Sequence, residues 1–134
     1  MSRIKVCAAV IKNNGKYLIC SRPLRPDTKI MWEFPGGKIN PGESDGACIR
    51  REIHEELHLD IIPLDKMMTI IHHAPTKTIE LRFIRAILDN PDAEVHPADG
   101  QLYCWLEASH IQDLPLLPAD IPMSEFLKLS NNTQ

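Results

Sequence analysis

Short apolar blocks separated by turn residues run through most of the chain, and a helical period of apolar positions replaces them near the middle and at the end. Ile4 to Lys12 and Lys16 to Ser21 are β-rich runs joined by Asn13, Asn14 and Gly15, where Asn-Gly supplies the positive φ angles of a tight turn. The fold is therefore expected to open with two antiparallel strands. Two prolines between Arg22 and Asp27 predict a loop, Met31 to Phe34 forms a short apolar piece, and Pro35 to Gly42, with three glycines and two prolines, is expected to lack regular structure. A helix should follow, with Ser44 or Asp45 as N-cap and apolar Ile49, Ile53 and Leu57 recurring every four residues. Strand-like runs return at Met67 to His73, Ile79 to Leu88 and Gln101 to Leu106, followed by a short helix near Glu107 to Ile111. Pro115 to Pro122 reads as a proline-broken loop, Met123 to Leu129 as a last helix and Ser130 to Gln134 as a frayed tail. This order of elements predicts an α/β or α+β protein with a mixed sheet covered by helices.

Composition narrows the range of partners. A chain of 134 residues fits one domain, residues 1–134, with 43% hydrophobic and 25% charged positions. Its net charge of −3 argues against a nucleic-acid partner held by phosphate contacts, so a polyanionic substrate needs locally placed cations or metal. Cys7, Cys20, Cys48 and Cys104 stand far apart with no C-x-x-C pair, as expected for free thiols in a reducing cytoplasm. The apolar run after Met1 is too short for a signal segment and flows into the hairpin, so neither targeting nor a membrane is expected.

Two catalytic patterns overlap in RREIHEELHLD, Arg50 to Asp60. His54, Glu55 and His58 spell H-E-x-x-H, a zinc signature, whereas Glu52, Glu55 and Glu56 crowd within an arc of about 100° beside the apolar stripe of the same helix. Catalytic zinc normally takes three protein ligands, and no third candidate follows on a helix; His72 and His73 point oppositely in a strand-like run. Like charges at this spacing cost a helix about 0.2 to 0.5 kcal/mol per pair unless a cation sits among them, and oxygen ligands suit a hard ion. Taken alone, the acidic cluster also describes a solvated surface face.

The loop before the helix decides between these readings. Gly37, Glu43 and then Arg51-Glu52-Ile53-x-Glu55-Glu56 fill the spacing G-x5-E-x7-R-E-U-x-E-E, U being a bulky aliphatic. Six fixed residues at average frequencies would coincide by chance less than about once in ten million positions. With WEFPGGKINPGE in front, the segment resembles the Nudix box of the MutT-type branch, which implies an α/β/α sandwich around a mixed sheet and hydrolysis of nucleoside triphosphates. One departure stands out: the family glycine after the last Glu is His58, while Leu59 keeps the aliphatic position. A left-handed C-cap at that place would strain a histidine.

The resemblance implies that Glu52, Glu55 and Glu56, the Gly36 carbonyl and a loop carboxylate at Asp99 hold Mg²⁺, with Mn²⁺ as substitute. Arg51 would orient the carboxylates, Glu43 would support them, and Glu52 is favoured as general base. Arg22 and Lys38, with Lys77 further out, would bind phosphates. Phe34 and Asp120, in the loop from Leu114 to Pro122, would form the base pocket. An ionised Asp120 accepts hydrogen bonds only and so selects a base edge bearing donors. The chain is most similar to the members of this branch that convert CTP, dCTP, 5-methyl-dCTP or oxidised nucleoside triphosphates to monophosphate and pyrophosphate. The alternatives are 8-oxo-dGTP diphosphatase as the main role, or a non-catalytic nucleotide-binding module. A monomer or homodimer is expected.

Overall fold

The computed structural model describes residues 3–132. Strands β1 (Arg3–Asn13) and β2 (Lys16–Ser21) form the expected hairpin, with Asn14 at φ 52° and Gly15 at φ 79° in its turn. β3 (Trp32–Glu33), β4 (Gly36–Lys38), helix α1 (Asp45–Leu57), β5 (Ile61–His73), β6 (Thr78–Leu88), β7 (Tyr103–Leu106) and helix α2 (Ile121–Asn132) follow, with 3-10 turns at Ala108–Asp113 and Pro118–Asp120. The sheet is mixed: β1 runs parallel to β6 and antiparallel to β2 and β4, and β5 pairs antiparallel with β6 at one edge.

β1 is the spine because both of its faces are buried. Cys7, Ala9 and Ile11 alternate onto the core beneath α1, where they meet Cys48, Ile49, Ile53 and Leu57. Ala8 and Val10 face the opposite core, closed by Met123 and Leu127 of α2 and by Phe34 packed edge-on against Phe83. The helices thus cover opposite faces of one sheet, the α/β/α layering anticipated from the resemblance. No helix among the described residues is long and apolar enough to cross a membrane.

Four expectations need correction. Residues 36–38, expected to be irregular, form β4 against β1, with Ala8 opposite Gly36 and Cys7 opposite Gly37. A Cβ on Gly36 would collide with the Cys7 carbonyl and lie 2.8 Å from Ala8 Cα, so glycine here permits close strand approach rather than marking a loop. β5 begins at Ile61, earlier than its apolar run suggests, because register shifts between Pro63 and Lys66 and between Lys66 and Met68 absorb the proline and the polar stretch. The end of the proline-rich loop is already helical from Ile121, since proline is tolerated in a first turn. The last helix also continues to Asn132, so residues 130–132 are not a frayed tail; 133–134 lie outside the described residues.

Gly36→Ala should therefore destabilise the fold by about 3 kcal/mol, at the upper end for overpacking, and lower the midpoint by roughly 10 °C. Thermal unfolding checks this, and a midpoint within a degree or two of the parent would contradict the close approach.

Candidate active site

Ser44 opens α1 by accepting a hydrogen bond from the Ala47 N–H at 3.1 Å, which sets the helix against the glycine loop. Arg51, about two turns later, uses its whole guanidinium. Nε and Nη2 donate to both oxygens of Glu43 at 2.8 and 3.0 Å, and Nη2 also donates to the Lys38 carbonyl at 2.9 Å. Nη1 donates to Glu52 at 2.8 Å and to Glu55 at 3.3 Å. The forked pair with Glu43 is short and directional. It holds the Glu43 carboxyl down at about 2, with the Asn40 N–H assisting.

Glu52 lies directly over Gly37, where any Cβ would collide with its carboxylate. Its side chain is 15% exposed, whereas that of Glu55 is 57% exposed. Glu56 is half-buried and shares a hydrogen bond with Glu52. Burial first, then the charges of Glu52, Glu33 and Asp99, push its carboxyl up to about 8. Among the described residues no three His, Cys, Asp or Glu side chains already converge as a metal cage. The donor set nonetheless fits a hard divalent cation, because the Glu52 and Glu56 carboxyls, both oxygen donors, lie together in a partly dry site where burial and the neighbouring charge disfavour an ionised Glu56 in the absence of a cation. The structure therefore brings Glu43, Arg51, Glu52 and Glu55 into one network, sets Glu56 against Glu52, and brings Asp99 near Glu56.

A cavity of about 380 Å³ opens beside this cluster, within the usual range for a small-molecule site. Arg22, Phe34, Gly36, Lys38, Lys77 and Asp120 all line it, so the residues expected at both ends of a nucleotide meet in one space. The Phe34 ring is buried in the core, and its backbone N–H donates to Asp120 at 3.3 Å. The loop carrying Asp120 is docked on β3 by hydrogen bonds between Trp32 and both Pro115 and Leu117, each at 2.9 Å. Asp120 itself is 4% exposed, and burial together with the charge of Glu33 raises its carboxyl to about 7. Burial thus shifts Asp120 towards its protonated form, and a protonated carboxyl donates as well as accepts.

Glu33 was missed by the sequence reading. It lines the cavity, pairs with Arg22 at 3.3 Å and has its carboxyl raised by burial. Its signal in the chain was position, one polar residue inside W-E-F on the strand next to the glycine loop. The H-E-x-x-H spacing loses its helical meaning here, because His58 leaves the helix at φ 55° and ψ 36° while His54 contacts Asp60 at 3.2 Å. His58 caps the helix in the left-handed conformation that the family glycine would take. Cys7, Cys20, Cys48 and Cys104 are free.

Residues 1–129 match the family described as the NUDIX domain. Over 125 residues the chain is 31% identical to the CTP pyrophosphohydrolase of Escherichia coli strain K12, covering 93% of this chain and 91% of that one. It is 34% identical over 83 residues to the 8-oxo-dGTP diphosphatase of Proteus vulgaris, covering 60% and 73% of the two chains. The solution structure of the Escherichia coli ORF135 protein superposes with a TM-score of 0.83 at 29% identity, covering 97% of this chain and 91% of that one.

Glu56 and Asp120 bind protons more tightly in the fold than their ordinary values of 4.5 and 3.8, so the folded chain holds more protons than the unfolded one across that interval. Their contribution to stability is present at low pH and is lost as pH rises towards 8. The cation-free midpoint should fall between pH 5.5 and pH 8 in thermal scans. Glu56→Gln should raise the midpoint at pH 8 and change it little at pH 5.5; an unchanged midpoint at pH 8 would contradict the crowding.

Proposed function

We propose that this chain, which belongs to the NUDIX domain family, is a Mg²⁺-dependent pyrophosphohydrolase that converts CTP, dCTP or a modified nucleoside triphosphate to nucleoside monophosphate and pyrophosphate. The observation that carries the reading is the contact between Glu52 and Glu56, fixed by Arg51, at the side of a cavity that also presents Arg22, Lys38 and Asp120.

Glu52, Glu55, Glu56 and Asp99, with the Gly36 carbonyl, are the proposed ligands, and Mn²⁺ is expected to substitute. A bound divalent cation would neutralise phosphate oxygens and lower the pKa of water. Lys38 and Arg22 would draw a substrate carrying about four negative charges into the cavity and orient it. The Arg22 guanidinium must turn partly from Glu33 to do so, which frees the Glu33 carboxyl to face the nucleoside. Water attacks the β-phosphorus and its proton passes to Glu52. The bond from the β-phosphorus to the bridging oxygen breaks, that oxygen leaves with the monophosphate, and the β-phosphorus leaves in pyrophosphate. Arg51 keeps the Glu52 carboxylate aimed throughout, and Glu43 neutralises Arg51.

Asp120 and the Phe34 backbone set the base edge. In its ionised form Asp120 accepts from the amino group of cytosine. Its protonated fraction adds a donor, which favours a second reading in which an oxidised guanine is the main substrate. Similarity to a relative named 8-oxo-dGTP diphosphatase supports that alternative. A non-catalytic nucleotide-binding module fits the complete carboxylate set less well.

Pyrophosphate release from CTP, dCTP, 5-methyl-dCTP, 8-oxo-dGTP, GTP and UTP, with Mg²⁺ and with EDTA, tests the reading. Release should require the cation, with cytosine nucleotides ahead of UTP. A large lead for 8-oxo-dGTP would select the second reading, and no release from any nucleotide would contradict both. Glu56→Gln should lower kcat by orders of magnitude with the fold intact, as expected for losing a ligand of the activating cation; near-normal turnover would remove it from the site.

A further inference from the structure

His58 stands where α1 meets the segment that carries Asp99. Three hydrogen bonds join the two. The Glu56 carbonyl accepts from the Ala98 N–H at 2.8 Å and the Leu57 carbonyl from the His96 N–H at 3.0 Å, so the segment caps the carbonyls that the helix end leaves open. The third is the only one made by a side chain: His58 Nδ1 lies 2.8 Å from the His96 carbonyl. A carbonyl only accepts, so Nδ1 carries the proton in this contact. The left-handed backbone at His58 makes the contact available, because it turns the chain off the helix axis, and a side chain with a Cβ is held there in a conformation that favours glycine.

The segment is anchored on either side of Asp99 and only lightly held at it. Val95 is buried in the core beneath α1, and the Leu102 N–H donates to Ser21 Oγ at 2.9 Å. Between those anchors Asp99 and Gly100 are exposed, Gly100 turns the chain at φ 70°, and the Asp99 N–H donates to its own neighbour Gln101 at 3.3 Å. Among the described residues nothing on that side fixes Asp99 against α1. The backbone bonds at residues 96 and 98, with the His58 imidazole locking the carbonyl between them, are what set its distance from the helix.

We propose that His58 is a positioning residue: its imidazole latches the 95–99 segment onto the end of α1 and thereby holds the Asp99 carboxylate beside Glu56 for divalent-cation binding. The proposal rests on the reading of Glu56 and Asp99 as cation ligands given above. It gives a function to the one position where the box departs from glycine. A glycine at 58 would relax the backbone but leave the His96 carbonyl without its side-chain partner. An asparagine would keep both features, since asparagine tolerates the left-handed region and its Nδ2 is bonded to Cγ just as the imidazole Nδ1 is.

The test compares the full chain with His58→Gly, His58→Asn, Asp99→Asn and the His58→Gly/Asp99→Asn double variant. Two quantities are read without turnover: amide exchange at His96 and Ala98 in cation-free protein, and Mn²⁺ binding by electron paramagnetic resonance. His58→Gly should speed Ala98 exchange about fivefold, as for one lost hydrogen bond. It should weaken Mn²⁺ binding about tenfold, at the lower end for losing a residue that orients a ligand. His58→Asn should restore both. In the Asp99→Asn background His58→Gly should have no further effect on Mn²⁺, because the two changes act through one group. Parental exchange and Mn²⁺ affinity in His58→Gly would overturn the proposal, as would an equal loss of affinity with and without Asp99. If the parent chain binds no Mn²⁺ while the exchange difference persists, the latch exists but the cation reading has failed, and the assignment to Asp99 falls with it.

Discussion

The Arg51 guanidinium is the interaction on which the site depends. It reaches back from α1 to Glu43 and the Lys38 carbonyl while holding Glu52 and Glu55 on its own helix. One cation thereby joins the glycine loop to the helix and sets the direction of two carboxylates. Because Arg51 is spent on these partners, Glu56 receives none of its charge directly, and burial with the charge of Glu52 pushes its carboxyl up. One guanidinium thus serves Glu43, Glu52 and Glu55 with Glu56 beside them, an excess of negative charge that a divalent cation relieves.

The sheet makes this arrangement affordable. β1 is buried on both faces, so the glycine strand β4 can lie against it closely enough for α1 to settle over Gly37. The same strand carries Ala8, whose small side chain leaves room for the cavity on the other face. Packing and chemistry are therefore coupled through residues 36–38. They pair with the core strand, supply the carbonyl that Arg51 grips, and form one wall of the cavity.

The box, both ends of α1 and the opening hairpin were legible in the chain because each rests on local rules: a capping serine, a four-residue apolar period, an Asn-Gly turn. Asp120 could be placed in the pocket by resemblance, but its raised carboxyl could not, since burial depends on Trp32 docking a loop more than eighty residues away. Glu33 escaped notice for the same reason, as its meaning comes from sharing the cavity wall with Asp120 and from its charge acting on both Asp120 and Glu56. Residues 36–38 were misread because glycine spells a loop and a close strand pairing in the same letters. His58 was recognised as a departure, but its contact with His96 is a tertiary one that spacing does not encode.

We propose that a divalent cation displaces the proton that burial and crowding favour on Glu56 beside Glu52. Titration calorimetry of Mg²⁺ into the chain at pH 7, repeated in buffers of different ionisation enthalpy, reads the protons released on binding. With the Glu56 carboxyl raised to about 8, binding should release close to one proton per cation, and the release should fade as pH rises past 9. Binding without proton release, or no binding at all, would contradict the account.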